Sequence, residues 1–239
     1  MILQLTTMDM SMVQDIFDPL SPSRYSRLRA AAIELRFLLS HNYPRKSSVE
    51  FVGNHHQLNK DERNILFRGV FTAGMARAIK DARIPLSGLR GGKLVIDGYN
   101  VTITLENAMK NKPLIKGNDG FIRDISGTFR GFRQSDLTRK AWELIMDILN
   151  DYPPKYVLVL LDRPYSRSAI LARSINAWLE MNGLDGEATL SDGVDHYLQQ
   201  TKGVRATSDS SILINGSPSV DLAGHIATRR LNRRPFIVP

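Results

Sequence analysis

The sequence predicts an α/β fold in which a doubly wound, mostly parallel sheet is preceded by a small all-α domain. Three observations predict it. Residues 156–161 (YVLVLL) form a continuous apolar run, the pattern of a strand buried on both faces of a parallel sheet. From Gly91-Gly92 onward, short β-type stretches alternate with amphipathic helical patterns, the rhythm of a sheet covered by helices on both sides. Upstream of residue 80 the apolar positions recur at helical spacing and no strand signal interrupts them.

The elements follow in order. Residues 1–22, closed by Pro19 and Pro22, read as a poorly ordered lead-in. Over 24–40, Leu28, Ala31, Ala32, Leu35, Leu38 and Leu39 mark one helix face, and Tyr43-Pro44 ends it. A short helix is predicted over 47–52, stopped by Gly53-Asn54. Asn59 with Glu62 three residues on has the form of a capping box, and the helix it starts is read through Val70 and Phe71 towards Ile79. A short helix, a turn and a second helix resemble a helix-turn-helix, though any small helical bundle offers such a pair. Residues 84–88 (IPLSG) read as a linker. The expected domains are therefore 23–90, helical and basic, and 91–239, α/β.

In the second part, 93–96 is a short buried strand and 137–149 an amphipathic helix. The apolar strand 156–161 is followed by a helix over 166–181, with Asn182-Gly183 as its stop. A strand at 187–190, a helix at 194–200, a strand at 204–207, a helix at 210–214, a strand at 220–222 and a helix ending near Arg230 complete the alternation.

Composition narrows the function. No apolar run approaches the roughly 20 residues that span a bilayer. The N-terminus lacks a basic n-region, so no signal peptide and no membrane partner are expected, and a cytoplasmic location is. The chain has no Cys, which excludes disulfides and Cys-based zinc sites. The formal net charge is +8. Residues 20–90 hold 13 Lys and Arg against 5 Asp and Glu, whereas residues 91–239 hold 19 against 16. A basic module beside a nearly neutral one fits a polyanion-holding part attached to a chemical part, with an ordinary solvated basic surface as the alternative. Arg24, Arg27, Arg45, Lys46, Lys60, Arg63 and Arg68 are the candidates for such a surface.

Three acids stand after predicted strands: Asp97 after 93–96, Asp162 after 156–161 and Asp209 after 204–207. In doubly wound sheets the carboxyl ends of the strands carry the ligand site. Carboxylates gathered there repel one another until a cation joins them, and hard oxygen donors suit Mg²⁺ or Mn²⁺. Such an ion can activate water and hold a phosphodiester for attack. Each acid on its own also fits a helix N-cap or a turn. Gly98 suggests a close backbone approach beside Asp97.

The segment Val95-Ile96-Asp97-Gly98-Tyr99-Asn100 resembles the opening motif of the NYN branch of PIN-like nucleases, and Thr207-Ser208-Asp209 resembles that family's late T-S-D motif. Nearly everything after residue 23 resembles an uncharacterised, mostly archaeal two-part family. That family joins a short helical N-terminal domain of unknown function, with motifs like Tyr43-Pro44-Arg45-Lys46 and Phe51-Val52-Gly53-Asn54, to a PIN-like domain. The resemblance implies a PIN-like sheet with Asp97, Asp162 and Asp209 as catalytic metal ligands, and Asn100 and Ser208 as ligand-orienting groups. It also implies a fourth acid, for which Asp124 is the first candidate and Asp119 its competitor. Arg123, Arg130 and Arg133 hold the substrate backbone or are surface charges.

Other chemistries are set aside. No H-E-x-x-H, P-loop or G-x-S-x-G is present, and Gly88-Leu89-Arg90-Gly91-Gly92 precedes its strand instead of following it. A phosphohydrolase of the haloacid-dehalogenase type needs D-x-D, and Tyr99 stands two residues after Asp97. His55-His56 reads as a solvated or structural pair, and Trp142 and Trp178 as core. The expected function is a metal-dependent endoribonuclease acting on RNA, with DNA as the other substrate and a homodimer compatible. The alternative is a non-cleaving nucleic-acid-binding or scaffold protein on the same fold.

Overall fold

The computed structural model describes residues 22–126, 134–163 and 167–239. The expected lead-in lies almost wholly outside the described residues, as do Arg130 and Arg133. Among the described residues no helix is long and apolar enough to cross a membrane.

The N-terminal part is all helical: α1 Pro22–Ser40, α2 Arg45–His55, α3 Lys60–Gly69 and α4 Ala73–Ala82. Two expectations need correction. Helix α2 runs through Gly53 instead of stopping there. A Cβ at 53 would lie 2.7 Å from Arg63 Nη1, so this glycine makes room for the Arg63 guanidinium, which donates to Asn54 Oδ1 at 3.0 Å. The helix read from Asn59 towards Ile79 is two helices. Its start is the expected capping box of Asn59 and Glu62. It breaks after Gly69 because Asn118, from a distant loop, accepts from the Phe71 N–H at 3.0 Å and donates to the Phe71 carbonyl at 2.8 Å, after which the Thr72 side chain caps α4. The expected linker is a packed 3-10 turn, Leu86–Leu89, with Leu86 and Leu89 buried.

The main sheet has five strands, β1 Lys93–Asp97, β4 Tyr156–Asp162, β5 Gly186–Ser191, β6 Val204–Ala206 and β7 Ser219–Val220, all parallel in the order β5-β4-β1-β6-β7. Its residues alternate between two cores. Leu94, Ile96, Val157, Val159 and Leu161 face α5 Gly98–Met109, α6 Asp136–Asp151, α7 Ser168–Met181 and α10 Leu222–Arg229. Val95, Leu158 and Leu160 face α8 Val194–Gln200 and α9 Ser210–Leu213. Burying one such aliphatic side chain stabilises the fold by about 1.5–3 kcal/mol.

Sequence periodicity missed α5 because β-branched Val101, Thr102, Ile103 and Thr104 run through it. In the fold the Thr102 and Thr104 hydroxyls donate to the carbonyls of Gly98 and Asn100, one turn back, and both threonines are fully buried. A second, three-stranded sheet was also unforeseen: β2 Leu114–Lys116, β3 Ile122–Asp124 and β8 Phe236–Ile237, in the order β3-β2-β8. Ile115 and Val238 share one core with Leu28, Leu35, Val52 and Leu66 of the helical part. The two parts are thus joined by a common hydrophobic cluster and by Arg36, which donates to the Pro239 carbonyl at 2.8 Å.

Candidate active site

Asp97 ends β1 and caps α5, accepting from the Asn100 N–H at 3.2 Å. Gly98 lets this junction lie against β4: a Cβ there would fall 2.6 Å from Leu161 Cδ2 and 3.0 Å from the Leu160 carbonyl. The inferred close approach is therefore real. On the other flank of β1, Thr207 donates its hydroxyl to Asp97 Oδ2 at 3.0 Å. Asn100 Oδ1 accepts from the Ser208 N–H at 2.9 Å and from the Ser208 hydroxyl at 3.0 Å. Asp209 caps α9 through Ser211 N–H. Both strand-end acids are thus helix caps, as the simpler reading had it, yet the same bonds tie the β1 and β6 loops together. The strand order reverses between these two strands, which is where doubly wound sheets place a ligand.

Asp162 ends β4 half-buried, and its carbonyl accepts from the Ser168 hydroxyl at 2.7 Å. Ser168 also meets the Tyr99 hydroxyl at 2.6 Å, so the NYN-like segment braces the β4 loop as well.

The acids act on one another. Burial pushes the Asp97 carboxyl up to about 7; hydrogen bonds from Asn100 and Thr207 oppose the rise, and the charges of Asp209 and Asp195 add to it. Asp162 is raised by burial and by Asp195, and Asp195 by burial and by Asp209. Asp195, in the first turn of α8 after β5, is the acid that sequence reasoning passed over. Its signal in the sequence is weak: it lies five residues past the strand predicted at 187–190, and Asp192 is the first acid after that strand. Among the described residues these carboxylates do not bring three oxygens within 4.8 Å of one another. Oxygen-only donors at that wider spacing suit a divalent ion that keeps much of its water shell.

The other candidates stand across a cavity of about 170 Å³ lined by Phe67, Arg68, Asn100, Arg123, Ser208, Asp209 and Ser210. Asp124 ends β3 in the second sheet, accepts from the Ser126 N–H at 2.9 Å, and lies 3.4 Å from Arg68 Nη2. Asp119 is fully buried and binds Arg123 with both oxygens, at 2.9 and 2.5 Å. Arg123 is 2 % exposed. Its Nε donates to the Ser208 carbonyl at 2.7 Å, which makes it a support for the Ser208 loop. Arg68 was foreseen only as a surface cation. It sits half-buried between Asp124 and Asp209; burial lowers its pKa, Asp124 and Asp209 raise it, and Arg123 lowers it further. Nothing in the sequence places residue 68 beside residue 209, because α3 reaches the cleft only through packing. A fifth strand-end acid, Asp221, caps α10 and accepts from the Ile122 N–H at 3.0 Å, joining the two sheets.

Two family models match the chain. One, described as Domain of unknown function (DUF5616), matches residues 86–225, and one described as Protein of unknown function (DUF434) matches residues 27–81. An uncharacterized protein of Methanocaldococcus jannaschii is 29% identical over 186 residues, covering 78% of this chain and 88% of its own length. No solved structure matches the chain.

Proposed function

This chain belongs to the family described as Domain of unknown function (DUF5616), and we propose that it is a metal-dependent endoribonuclease with a PIN-like acidic site. The observation that carries the reading is the gathering of Asp97, Asp162, Asp195 and Asp209 at one edge of the sheet, around its topological switch point, where burial first and neighbouring acids second raise Asp97, Asp162 and Asp195. Carboxylates buried this close together form a site that positive charge completes. A bound Mg²⁺ or Mn²⁺ would supply an activated water and charge stabilisation at phosphorus. Asp97 and Asp209 would hold it, with Asp162 and Asp195 on the β4 and β5 side. Asn100 and Ser208 fix the separation of the two loops that carry Asp97 and Asp209.

The helical part supplies the substrate side. Arg68 offers a guanidinium to a phosphate in the cavity, and Phe67, 44% exposed on the cavity wall, offers a face on which a base can stack. Both features favour a single-stranded substrate, RNA first and DNA second. The non-cleaving reading rests on one observation, the wide spacing of the carboxylate oxygens.

The test is cleavage of labelled single-stranded and structured RNA with Mn²⁺ or with EDTA. Cleavage is expected with Mn²⁺ alone, and Asp97→Asn and Asp209→Asn are each expected to lose most of it while keeping the fold. Binding without cleavage in every case would establish the scaffold reading instead.

A further inference from the structure

The helical part brings together three side chains that the cleft does not use. Glu34 lies on α1, and His55 and His56 end α2. One ligand atom from each lies within 4.8 Å of the other two, and among the described residues this is the set of three that meets so closely. His55 and His56 stand edge to face with ring centroids 4.8 Å apart. His56 Nε2 lies 3.0 Å from Glu34 Oε2, yet off the direction of a hydrogen bond, so this buried nitrogen has no hydrogen-bond partner among the described residues. An imidazole nitrogen and a carboxylate oxygen this close repel unless a proton or a cation sits between them.

We propose that Glu34, His55 and His56 form a Zn²⁺ site that staples α1 to the end of α2. Two imidazoles and one carboxylate are the borderline nitrogen and oxygen donors that Zn²⁺ takes, and they differ in kind from the oxygen-only cleft, which suits Mg²⁺ or Mn²⁺. Tetrahedral Zn²⁺ with bonds of about 2.1 Å sets its ligand atoms about 3.4 Å apart. The ligand atoms lie within 4.8 Å of one another, and rotamer adjustment would bring them to that spacing. Three protein ligands leave a fourth position for water. The sequence reads His55-His56 as a solvated or structural pair; it places the two side by side, but only the packing of α1 on α2 brings Glu34 to them.

The experiment titrates the metal-stripped, untagged full chain with Zn²⁺ against a chromophoric chelator. An excess of Mg²⁺ is kept present so that the acidic cleft is occupied. One tight equivalent is expected. Glu34→Gln, His55→Gln and His56→Gln are each expected to weaken it at least tenfold, while Asp97→Asn leaves it unchanged. Metal-free thermal midpoints check that each variant is folded. Co²⁺ in place of Zn²⁺ is expected to give a visible absorption band in the wild type and not in His55→Gln or His56→Gln. Absence of a tight equivalent, or one that survives all three substitutions, overturns the proposal whatever the cleft does with RNA.

Discussion

Asp97 is the residue on which most turns. Its carboxyl is buried, reaches a pKa of about 7 in the fold and has an ordinary value of 3.8. Between those pH values the folded chain holds a proton that the unfolded chain has released, so in EDTA stability falls as pH rises from about 4 to about 7. A shift of about three units corresponds to up to about 4 kcal/mol, because one unit is about 1.4 kcal/mol. Asp97→Asn keeps the shape and removes the titration. Its urea midpoint in EDTA is expected to fall much less between pH 5 and pH 8 than that of the wild type. Adding Mn²⁺ at pH 8 is expected to raise the wild-type midpoint, since an ion that binds only the folded chain stabilises it. An identical pH dependence in the two proteins would show that Asp97 ionises freely. The basic residues of the helical part also change meaning at this scale. Arg24 pairs with Glu62 at 3.0 Å, Arg45 donates to the Phe67 and Val70 carbonyls, and Arg63 donates to the Leu58 carbonyl. The charge excess read as a strand-holding surface is partly internal bonding, which leaves Arg27, Lys46 and Lys60 exposed.

Among the elements, the β1–α5 junction sets the site. Gly98 is required by contact and not by backbone angle, since its Cβ would strike Leu161 and the Leu160 carbonyl. Gly98→Ala is expected to destabilise by about 1–3 kcal/mol, the usual cost of overpacking, and to push β1 away from β4. Denaturant melts measure the loss. A neutral substitution would mean that the two strand ends separate easily. The same junction shows how far local patterns reach. The capping box at Asn59, the stop at Gly183 with φ 64° and the apolar β4 are all visible in the sequence, because each depends on neighbours within one turn or one strand. The break at Val70–Thr72 is not, because Asn118 makes it from 47 residues away.

For the whole molecule, the boundary between residues 81 and 86 separates two sequence matches but not two cores. Ile115 and Val238 are buried among helical-part residues. A chain comprising 91–239 alone would expose them, and it is expected to bind a hydrophobic dye and to lack a sharp thermal transition, whereas the full chain unfolds in one step. Two separate calorimetric transitions in the full chain would contradict the shared core. The arrangement also has a functional side: if the helical part could detach, Phe67 and Arg68 would leave the cleft.

Local chemistry dictates one part of this fold, and that part is legible along the chain. The parallel sheet follows from YVLVLL and from alternating elements, and the placing of Asp97, Asp162 and Asp209 at its carboxyl edge follows from each acid closing a strand. The meeting of Asn100 with Ser208 shows how little further the sequence reaches: both residues stood out, but not the bond between them. Long-range packing brings Asp195 to the acids, sets Asp119 on Arg123, turns Arg68 towards Asp209 across the cavity and lets the C-terminal β8 complete a second sheet. The physical reason is the same each time. Periodicity and capping report energies within a few residues, while these contacts join residues tens of positions apart, and their geometry is set by which apolar faces pack together.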